Sequence, residues 1–322
     1  MALTADRTVE VLRAAGEPTR LRILALLRRE ELSVMELAQA LGQSQPRVSR
    51  HLKLLTEARI VERFPDGSWV FYRLGGEERA VALAVRALDA VDPADPTMAR
   101  DAEQLRDVRA ARDAAAADYF ARNAARWDEI RSLYVAEEAV EAAVLAAAGE
   151  GPFDRVVDLG TGSGRMLRLF GERAKRAVGL DLSQQMLNIA RSEAAKTGLE
   201  HFELRHGDVF DTRLPARWAD LVVVHQVLHY LSDPGAAVAE AARLVAPGGR
   251  LLIVDFAPHG FEFLRSEHQH RRLGFAEAEI GRWLEGAGLQ ASPPVALPPA
   301  GQGLTVTIWT AERPAEAERQ AA

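Results

Sequence analysis

A short strand-like run leads directly into a glycine-rich turn in the second half of the chain. Val156-Val157-Asp158-Leu159 is followed without a break by Gly160-Thr161-Gly162-Ser163-Gly164. Glycines let a backbone bend sharply and approach a bound molecule closely, and a helix that begins at such a turn points its first N–H groups at that molecule. A strand, a glycine turn and a helix in this order indicate an α/β sheet that binds a ligand at the ends of its parallel strands.

Strand-like and helical segments alternate around this turn. Strands are predicted at 155–159, 177–181, 202–206, 219–225, 250–255 and 305–310. Such alternation implies a mostly parallel sheet that is covered by helices, as in Rossmann-like domains.

The first 90 residues follow a different pattern, in which short amphipathic helices are separated by turn signals. Ser33 is placed to cap a helix, with Glu36 completing a capping box. Gly42 ends that helix, and Ser44 can cap the next one. Asp66-Gly67 lies between two β-like runs and is typical of a hairpin turn. We therefore expect a helix-turn-helix followed by a β-hairpin, which is the layout of a winged helix.

The second helix of this pair is predicted to enter the major groove of DNA. Val48, Leu52 and Leu55 recur at helical spacing and predict its buried face. Arginine and glutamine can read guanine and adenine edges, and serine, histidine and lysine suit bases or phosphates. The outward set predicted to bind DNA is Gln45, Arg47, Ser49, Arg50 and Lys53, with His51 at the margin.

The hairpin would form the wing, from which Arg63 and Arg73 are expected to reach the DNA backbone. Helix-turn-helix shapes also mediate protein contacts, and a basic helix can be no more than a solvated face. The complete winged layout favours DNA binding over both alternatives.

Length and composition indicate two soluble domains. At 322 residues the chain exceeds the size that one core usually serves. We find no apolar run of about 18 residues and no signal-peptide pattern, so we expect no membrane association and a cytoplasmic location. The predicted organisation is a winged-helix domain over 1–92, a helical linker over 93–118, a Rossmann-like α/β domain over 119–313 and a disordered tail over 314–322.

Four separated blocks of the first domain resemble the ArsR/SmtB family of repressors. They read EPTRLRIL from residue 17, LSVMELA from 32, SQPRVSRHL from 44 and GSWVFYRL from 67. The resemblance implies a homodimer that occupies double-stranded operator DNA and is controlled by an effector. Many members sense metals through cysteines in the helix that here carries Ser33 and Met35, and this chain has no cysteine. Thiolate metal sensing is therefore excluded, and the signal must enter elsewhere.

The acidic residues of the second domain suit a nucleoside that is joined to an amino acid. The turn has the spacing G-x-G-x-G, and Asp158 stands two residues before its first glycine. At that position its carboxylate would repel a pyrophosphate and can bind the amino group of an amino acid. Asp181 ends the next strand and can accept both hydroxyls of a ribose. Met186 can pack on an adenine, and Asp208, after the third strand, can accept from the adenine amine.

Together these features resemble the class I S-adenosylmethionine methyltransferases over about residues 119–311. The resemblance implies S-adenosylmethionine or S-adenosylhomocysteine as the cofactor, with no metal. It also implies that His225 and Gln226 lie near the methyl donor. The cofactor contacts implied by the resemblance come from Asp158, Gly160, Gly162, Asp181, Met186, Asp208 and Val209.

The methyl acceptor is weakly specified. The fourth strand runs into His225-Gln226-Val227-Leu228-His229, which lacks the Asn/Asp-Pro-Pro-aromatic signature of nitrogen methyltransferases, and cytosine-C5 chemistry would need a cysteine. His225, His229 and His259 are candidate bases for a small-molecule acceptor, although each can equally be a wall residue. His259, Glu262, His268 and His270 are suitable metal ligands by type, but an acceptor-site lid or a solvated helix explains them more simply.

Two function classes remain open at this stage. In one, the chain is a transcription regulator whose methyltransferase-like domain senses S-adenosylmethionine or S-adenosylhomocysteine. In the other, it is an active methyltransferase that uses the winged helix for dimerisation or autoregulation. We favour the regulator, because a DNA reader without a thiolate sensor needs an effector site. The helical stretch 97–148 would couple the two domains, with Tyr119, Trp127 and Arg131 capping the cofactor.

Overall fold

The structure, a computed structural model, describes residues 3–66, 69–123, 137–197, 202–299 and 303–315. The chain divides into two compact units, Met1–Ala114 and Ala115–Ala322. One helix, Pro96–Asn123, runs through this division. The boundaries inferred from the sequence, with a separate linker over 93–118, remain a prediction. Among the described residues, no helix has both the length and the apolar character needed to cross a membrane.

The first unit consists of helices and one small antiparallel sheet. Its sheet has the order β1-β3-β2. Its elements are α1 (Ala5–Ala15), α2 (Pro18–Leu27), β1 (Leu32–Ser33), α3 (Val34–Leu41), α4 (Gln45–Glu57), β2 (Val61–Asp66), β3 (Trp69–Leu74), α5 (Glu78–Asp89) and the first part of α6 (Pro96–Asn123).

Local sequence signals account for the helix-turn-helix. The Ser33 hydroxyl accepts a hydrogen bond from Glu36 N at 3.3 Å, and the Glu36 carboxylate accepts one from Ser33 N at 2.8 Å. This is the predicted capping box. Gly42 ends α3 in the left-handed conformation with φ +62°, which a residue with a Cβ seldom adopts. The chain then turns into α4, which begins at Gln45.

The second unit is an α/β domain with a mostly parallel sheet, as predicted. The strand order is β10-β11-β8-β7-β4-β5-β6, and β9 pairs with β11. The strands are β4 (Phe153–Leu159), β5 (Ala174–Asp181), β6 (Phe202–His206), β7 (Ala219–His225), β8 (Val245–Phe256), β9 (Gln290–Ala291), β10 (Val295–Leu297) and β11 (Val306–Glu312). The helices are the rest of α6, then α7 (Glu137–Ala148), α8 (Arg165–Phe170), α9 (Gln184–Thr197), α10 (Pro234–Leu244), α11 (Phe263–His268) and α12 (Glu277–Gly286).

The central parallel strands of the sheet are buried on both faces. Along β7, Val222 and Val224 belong to one apolar layer, whereas Leu221 and Val223 belong to the layer on the opposite face. This alternation follows from the two-residue period of a strand. Because both faces of β7 are buried, successive residues of the strand are apolar instead of alternating between apolar and polar.

The order of the strands locates the ligand site. From β4 the chain proceeds outward to β5 and β6, and it then returns to the other side of β4 to form β7 and β8. The loops that leave β4 and β7 therefore diverge at their carboxyl ends. In open α/β sheets this divergence opens the crevice in which ligands bind.

Candidate functional sites

Helix α4 has the two faces that the sequence predicted. Val48, Leu52 and Leu55 are completely buried in the core of the first unit. The side chains of Gln45, Arg47, Arg50 and Lys53 are exposed, and that of Ser49 is half-buried. Ser44 occupies the N-cap position, but its side chain makes no capping hydrogen bond.

His51 and Arg73 are held by acidic side chains of the protein. His51 Nδ1 lies 3.4 Å from Glu17 Oε2, and only 17% of the histidine side chain is exposed. The Arg73 guanidinium pairs with Glu62 Oε2 at 3.0 Å and with Glu31 Oε1 at 3.2 Å. Two carboxylates thus bind the Arg73 guanidinium in this structure, and its contact with DNA stays a prediction. Arg63, on the neighbouring strand β2, is exposed.

The glycine turn lies at the carboxyl end of β4, and its backbone needs glycine. Gly160, Gly162 and Gly164 have φ values of +72°, +54° and +77°. The N–H groups of Gly160 and Thr161 both donate to Leu180 O at 2.8 Å, which ties the turn to β5. A Cβ on Gly160 would lie only 2.5 Å from Val227 Cγ2, so there is no room for a side chain.

Asp181 lies at the carboxyl end of β5 beside this turn. Its Oδ2 accepts a hydrogen bond from Gly162 N at 2.8 Å, and its Oδ1 accepts one from Ser183 N at 2.7 Å. Burial raises the pKa of this carboxyl group above its usual range, although the two backbone hydrogen bonds oppose the shift. Each carboxylate oxygen can accept a further hydrogen bond, so Asp181 can bind a pair of neighbouring hydroxyls.

Asp158 is buried in the floor of the turn. It is 1% exposed, and its Oδ2 accepts a hydrogen bond from the Thr161 hydroxyl at 2.7 Å. The carboxylate therefore orients the side chain of the residue that follows Gly160.

Around the third strand, exposed apolar groups accompany the predicted acid. Asp208 is exposed, and its Oδ1 accepts a hydrogen bond from Phe210 N at 2.9 Å. Leu182 is 57% exposed and Phe210 is 36% exposed, whereas Met186 is 2% exposed. Leu182 directly follows Asp181, and Phe210 directly follows Asp208-Val209, so both present apolar surface next to the predicted acids, and the contact of Met186 with an adenine stays a prediction. Exposure cannot be judged from sequence alone, although their positions after the two acids were available as a signal.

His225 ends β7 and is 9% exposed. The next residue, Gln226, has φ +53°, and its N–H donates to Val254 O at 2.7 Å. A residue with a Cβ is uncommon in this conformation, and such strain concentrates at functional sites. Val209, which follows Asp208, is partly buried and packs against the core of the second unit.

A buried histidine and aspartate join the ends of β7 and β8. His229 Nδ1 lies 2.8 Å from Asp255 Oδ1, and the two side chains are 2% and 0% exposed. His229 N also donates to Asp255 Oδ2 at 3.3 Å. When Nδ1 carries its proton toward Asp255, Nε2 presents a lone pair, which is how an aspartate orients a general base.

The segment after β8 covers this histidine. The His270 ring stacks on the His229 ring with centroids 4.1 Å apart, and the N–H groups of Arg271 and Arg272 donate to His229 O. Burial, together with the neighbouring imidazoles and Arg265, lowers the pKa of His270 far below its usual range. His259 is half-buried at the start of the segment.

Two further predictions concern metal binding and the cap. Over the described ranges, which include His259, Glu262, His268 and His270, no three side chains are arranged to hold a metal ion. Of the predicted cap, Trp127 and Arg131 lie outside the described residues, and Tyr119 is described only as part of the backbone of α6.

Comparison with known proteins finds a match in each half of the chain. A family model described as "Bacterial regulatory protein, arsR family" matches residues 17–63, and one described as "Methyltransferase domain" matches residues 157–253. The HTH-type transcriptional regulator KmtR of Mycobacterium tuberculosis is 39% identical over 102 residues, which cover 31% of this chain and 78% of KmtR.

The second half is similar to methyltransferases. Demethylmenaquinone methyltransferase of Thermus thermophilus is 36% identical over 106 residues, covering 32% of this chain and 48% of that enzyme. The uncharacterized methyltransferase YcgJ of Bacillus subtilis is 31% identical over 105 residues, covering 32% of this chain and 42% of YcgJ. Its crystal structure aligns with a TM-score of 0.47 at 20% identity, covering 54% of this chain and 97% of that one.

The chain spans about half the length of the curated methyltransferases that it matches. It covers KmtR more completely, and the two family models match in the order of the two units. The chain therefore belongs to the ArsR-type winged-helix regulators, and its second half carries a region that matches the methyltransferase domain model.

Proposed function

We propose that this protein is a transcriptional regulator whose methyltransferase domain binds S-adenosylmethionine or S-adenosylhomocysteine as an effector of DNA binding. The observation that carries the proposal is the anchored carboxylate of Asp181. It is fixed between Gly162 N and Ser183 N beside the glycine turn. A carboxylate held in this way is organised in advance for the two ribose hydroxyls of such a ligand.

The surrounding residues fit the rest of the ligand. Leu182 and Phe210 offer exposed apolar surface on which a nucleobase can stack. Asp208 is exposed and can accept from an exocyclic amine. Asp158 supplies negative charge under the turn, which suits the ammonium group of an amino acid and opposes a phosphate. Gly160, Gly162, Val209 and His225 would line the remaining wall, with Met186 supporting it from within the core.

In this proposal the first unit binds DNA. We infer that α4 contacts double-stranded operator DNA through Gln45, Arg47, Ser49, Arg50 and Lys53. His51 would support the helix from its margin, because it already lies against Glu17. We further infer a homodimer formed by the N-terminal domain, to which the exposed apolar side chains of α1, Val9 and Leu12, would contribute.

Calorimetry and mobility shifts test this function together. S-adenosylhomocysteine should bind the wild-type chain, and Asp181→Ala should weaken binding by about 1–3 kcal/mol, because two hydroxyls lose their acceptor. The same ligand should change operator affinity for the wild-type chain, and operator DNA must change ligand affinity by the same factor. If ligand and operator bind with no mutual effect, the regulator proposal is wrong.

A second function, methyl transfer to a small molecule, is favoured by the buried pair of His229 and Asp255. Bound S-adenosylmethionine would supply an electrophilic methyl group. His229, oriented by Asp255 at 2.8 Å, could accept the proton that a hydroxyl acceptor loses. His225 and His259 are further candidate bases for such an acceptor.

The enzyme alternative has its own measurement. Turnover would appear as S-adenosylhomocysteine formed in excess over protein when hydroxylated small molecules are supplied. His229→Asn should abolish that turnover while it leaves the binding of S-adenosylhomocysteine nearly unchanged. Unchanged turnover in this variant would exclude His229 as the base.

A further inference from the structure

Helix α6 belongs to both units of the chain. It begins at Pro96 in the DNA-binding unit and continues as one helix beyond Ala114 to Asn123. At 1.5 Å per residue, about 20 Å of helix separates Asp101 from the first residues of the second unit. Because a continuous helix is stiff along its axis, a displacement at one end is carried to the other.

Asp101 anchors the first part of this helix. The residue is 3% exposed, and Leu105, four residues later on the same face, is 1% exposed and belongs to the core of the first unit. Residues four apart lie above one another on a helix. The helix therefore cannot slide or rotate in the first unit without moving a buried carboxylate and a core side chain together.

Arg22 of α2 binds this carboxylate through two hydrogen bonds. Arg22 Nε lies 2.6 Å from Asp101 Oδ2, and Arg22 Nη2 lies 2.7 Å from Asp101 Oδ1. Such a bidentate pair fixes orientation as well as distance. Because Asp101 is buried, separating it from Arg22 would leave an uncompensated charge in the interior, which is strongly unfavourable. The pair therefore favours two discrete states, closed or broken, over a gradual change.

The same guanidinium also holds the turn that presents α4. Arg22 Nη2 donates to Leu41 O at 3.0 Å. Leu41 is the last residue of α3, Gly42 follows in the left-handed conformation, and α4 begins at Gln45. One side chain thus connects the helix that leaves the DNA-binding unit with the turn that sets the position of its DNA-reading helix.

We propose that Asp101, Arg22 and the carbonyl of Leu41 form a joint through which α6 controls the position of α4. The inference extends the proposed effector function, because the joint would deliver the response of the second unit to DNA. In this arrangement, a shift of α6 opens or closes the Asp101–Arg22 pair and changes the turn before α4. Arg22 and Asp101 act here as positioning residues and need not contact DNA.

The direct test is hydrogen–deuterium exchange of the full chain with and without operator DNA, measured without added ligand. In the wild-type chain, operator should slow amide exchange in α4 and also in the first turns of α6. In Asp101→Asn the slowing in α4 should persist and that in α6 should disappear. Asp107→Asn is the matched control, because it removes the same charge from an exposed position of α6 and should behave as wild type.

A double variant keeps the test informative if Asp101→Asn does not fold. Arg22→Met with Asp101→Leu replaces the ion pair by apolar side chains, an exchange that buried pairs often tolerate. It should fold, bind operator and lack the response in α6. The joint is ruled out if operator slows amide exchange in α6 as much in either variant as in the wild type. It is also ruled out if operator does not slow exchange in α6 of the wild type.

Operator titrations with and without S-adenosylhomocysteine then separate the joint from the effector function. Coupling in proteins is typically about 5–150-fold, and Asp101→Asn should bring the wild-type factor close to one without weakening ligand binding. If the wild type shows the α6 response but no effect of the ligand, the effector function is wrong and the joint stands. If the variant keeps the full ligand effect, the joint is wrong and the effector function stands.

Discussion

Replacing Gly160 by alanine should destabilise the second unit for two separable reasons. A residue with a Cβ pays about 1–2 kcal/mol to adopt the left-handed backbone, and Gly160 has φ +72°. The added Cβ would also lie 2.5 Å from Val227 Cγ2 and 3.0 Å from Val227 Cγ1. Overpacking of this kind typically costs about 1–3 kcal/mol. We therefore expect Gly160→Ala to lower the free energy of unfolding by about 2–5 kcal/mol.

A second glycine of the same unit provides the matched control. Gly248 has φ +75°, but no atom lies within 4 Å of the Cβ that an alanine would add. Gly248→Ala should therefore cost only the backbone strain, about 1–2 kcal/mol. The difference between the two variants measures the contact with Val227.

The assay is urea unfolding followed by tryptophan fluorescence, since Trp218, Trp283 and Trp309 lie in the second unit. A double-mutant cycle with Val227→Ala completes it, because that change removes the methyl groups that the new Cβ would meet. In the Val227→Ala background, Gly160→Ala should cost no more than Gly248→Ala. Equal costs for the two glycine variants in the wild-type background would refute the steric argument.

Three further predictions concern DNA, ligand and the buried pair. Arg47→Ala and Arg50→Ala should each weaken operator binding by about 1–3 kcal/mol if these arginines contact bases. Arg106→Ala, at an exposed position of α6, should leave operator binding unchanged. Mobility shifts at fixed salt measure the three affinities. Affinity for S-adenosylhomocysteine, measured by calorimetry, should fall as the pH is lowered through the raised pKa of Asp181, because protonation of this buried carboxylate removes an acceptor. Asp255→Asn should lower the free energy of unfolding by about 1–3 kcal/mol, because a buried donor is left unsatisfied; urea titration measures it, and an unchanged midpoint would contradict the assigned hydrogen bonds.

Features encoded in short segments could be predicted from the sequence. The apolar run of β7, the buried face of α4 and the capping box at Ser33 each depend on residues only a few positions apart. Their periodicity and capping chemistry are local, so no knowledge of the tertiary structure was needed. The short edge strand β10 was missed, because three residues carry too little periodicity to identify a strand.

Contacts between distant residues could not be predicted in this way. His229 and Asp255 are separated by 26 positions, and Arg22 and Asp101 by 79. Each of these residues is unremarkable in its own segment, and only the strand order and the packing of the helices bring the partners together. The contact between Arg73 and Glu31 was missed for the same reason, since the position of Arg73 on a predicted wing gave no sign of a partner 42 positions earlier.

The buried carboxylate of Asp181 connects stability with ligand binding. Burial raises the folded-state pKa of Asp181 above its unfolded-state value. By linkage, ionisation of this carboxyl group therefore lowers the stability of the fold. That unfavourable contribution is absent below the unfolded pKa, grows as the pH rises toward the folded pKa, and is complete above it. Above its folded-state pKa, Asp181 therefore carries a charge without which the fold would be more stable. Hydroxyl groups that donate to the ionised carboxylate offset part of this cost, so a ribose-bearing ligand should raise the stability of the second unit more above the folded-state pKa of Asp181 than below its unfolded-state pKa.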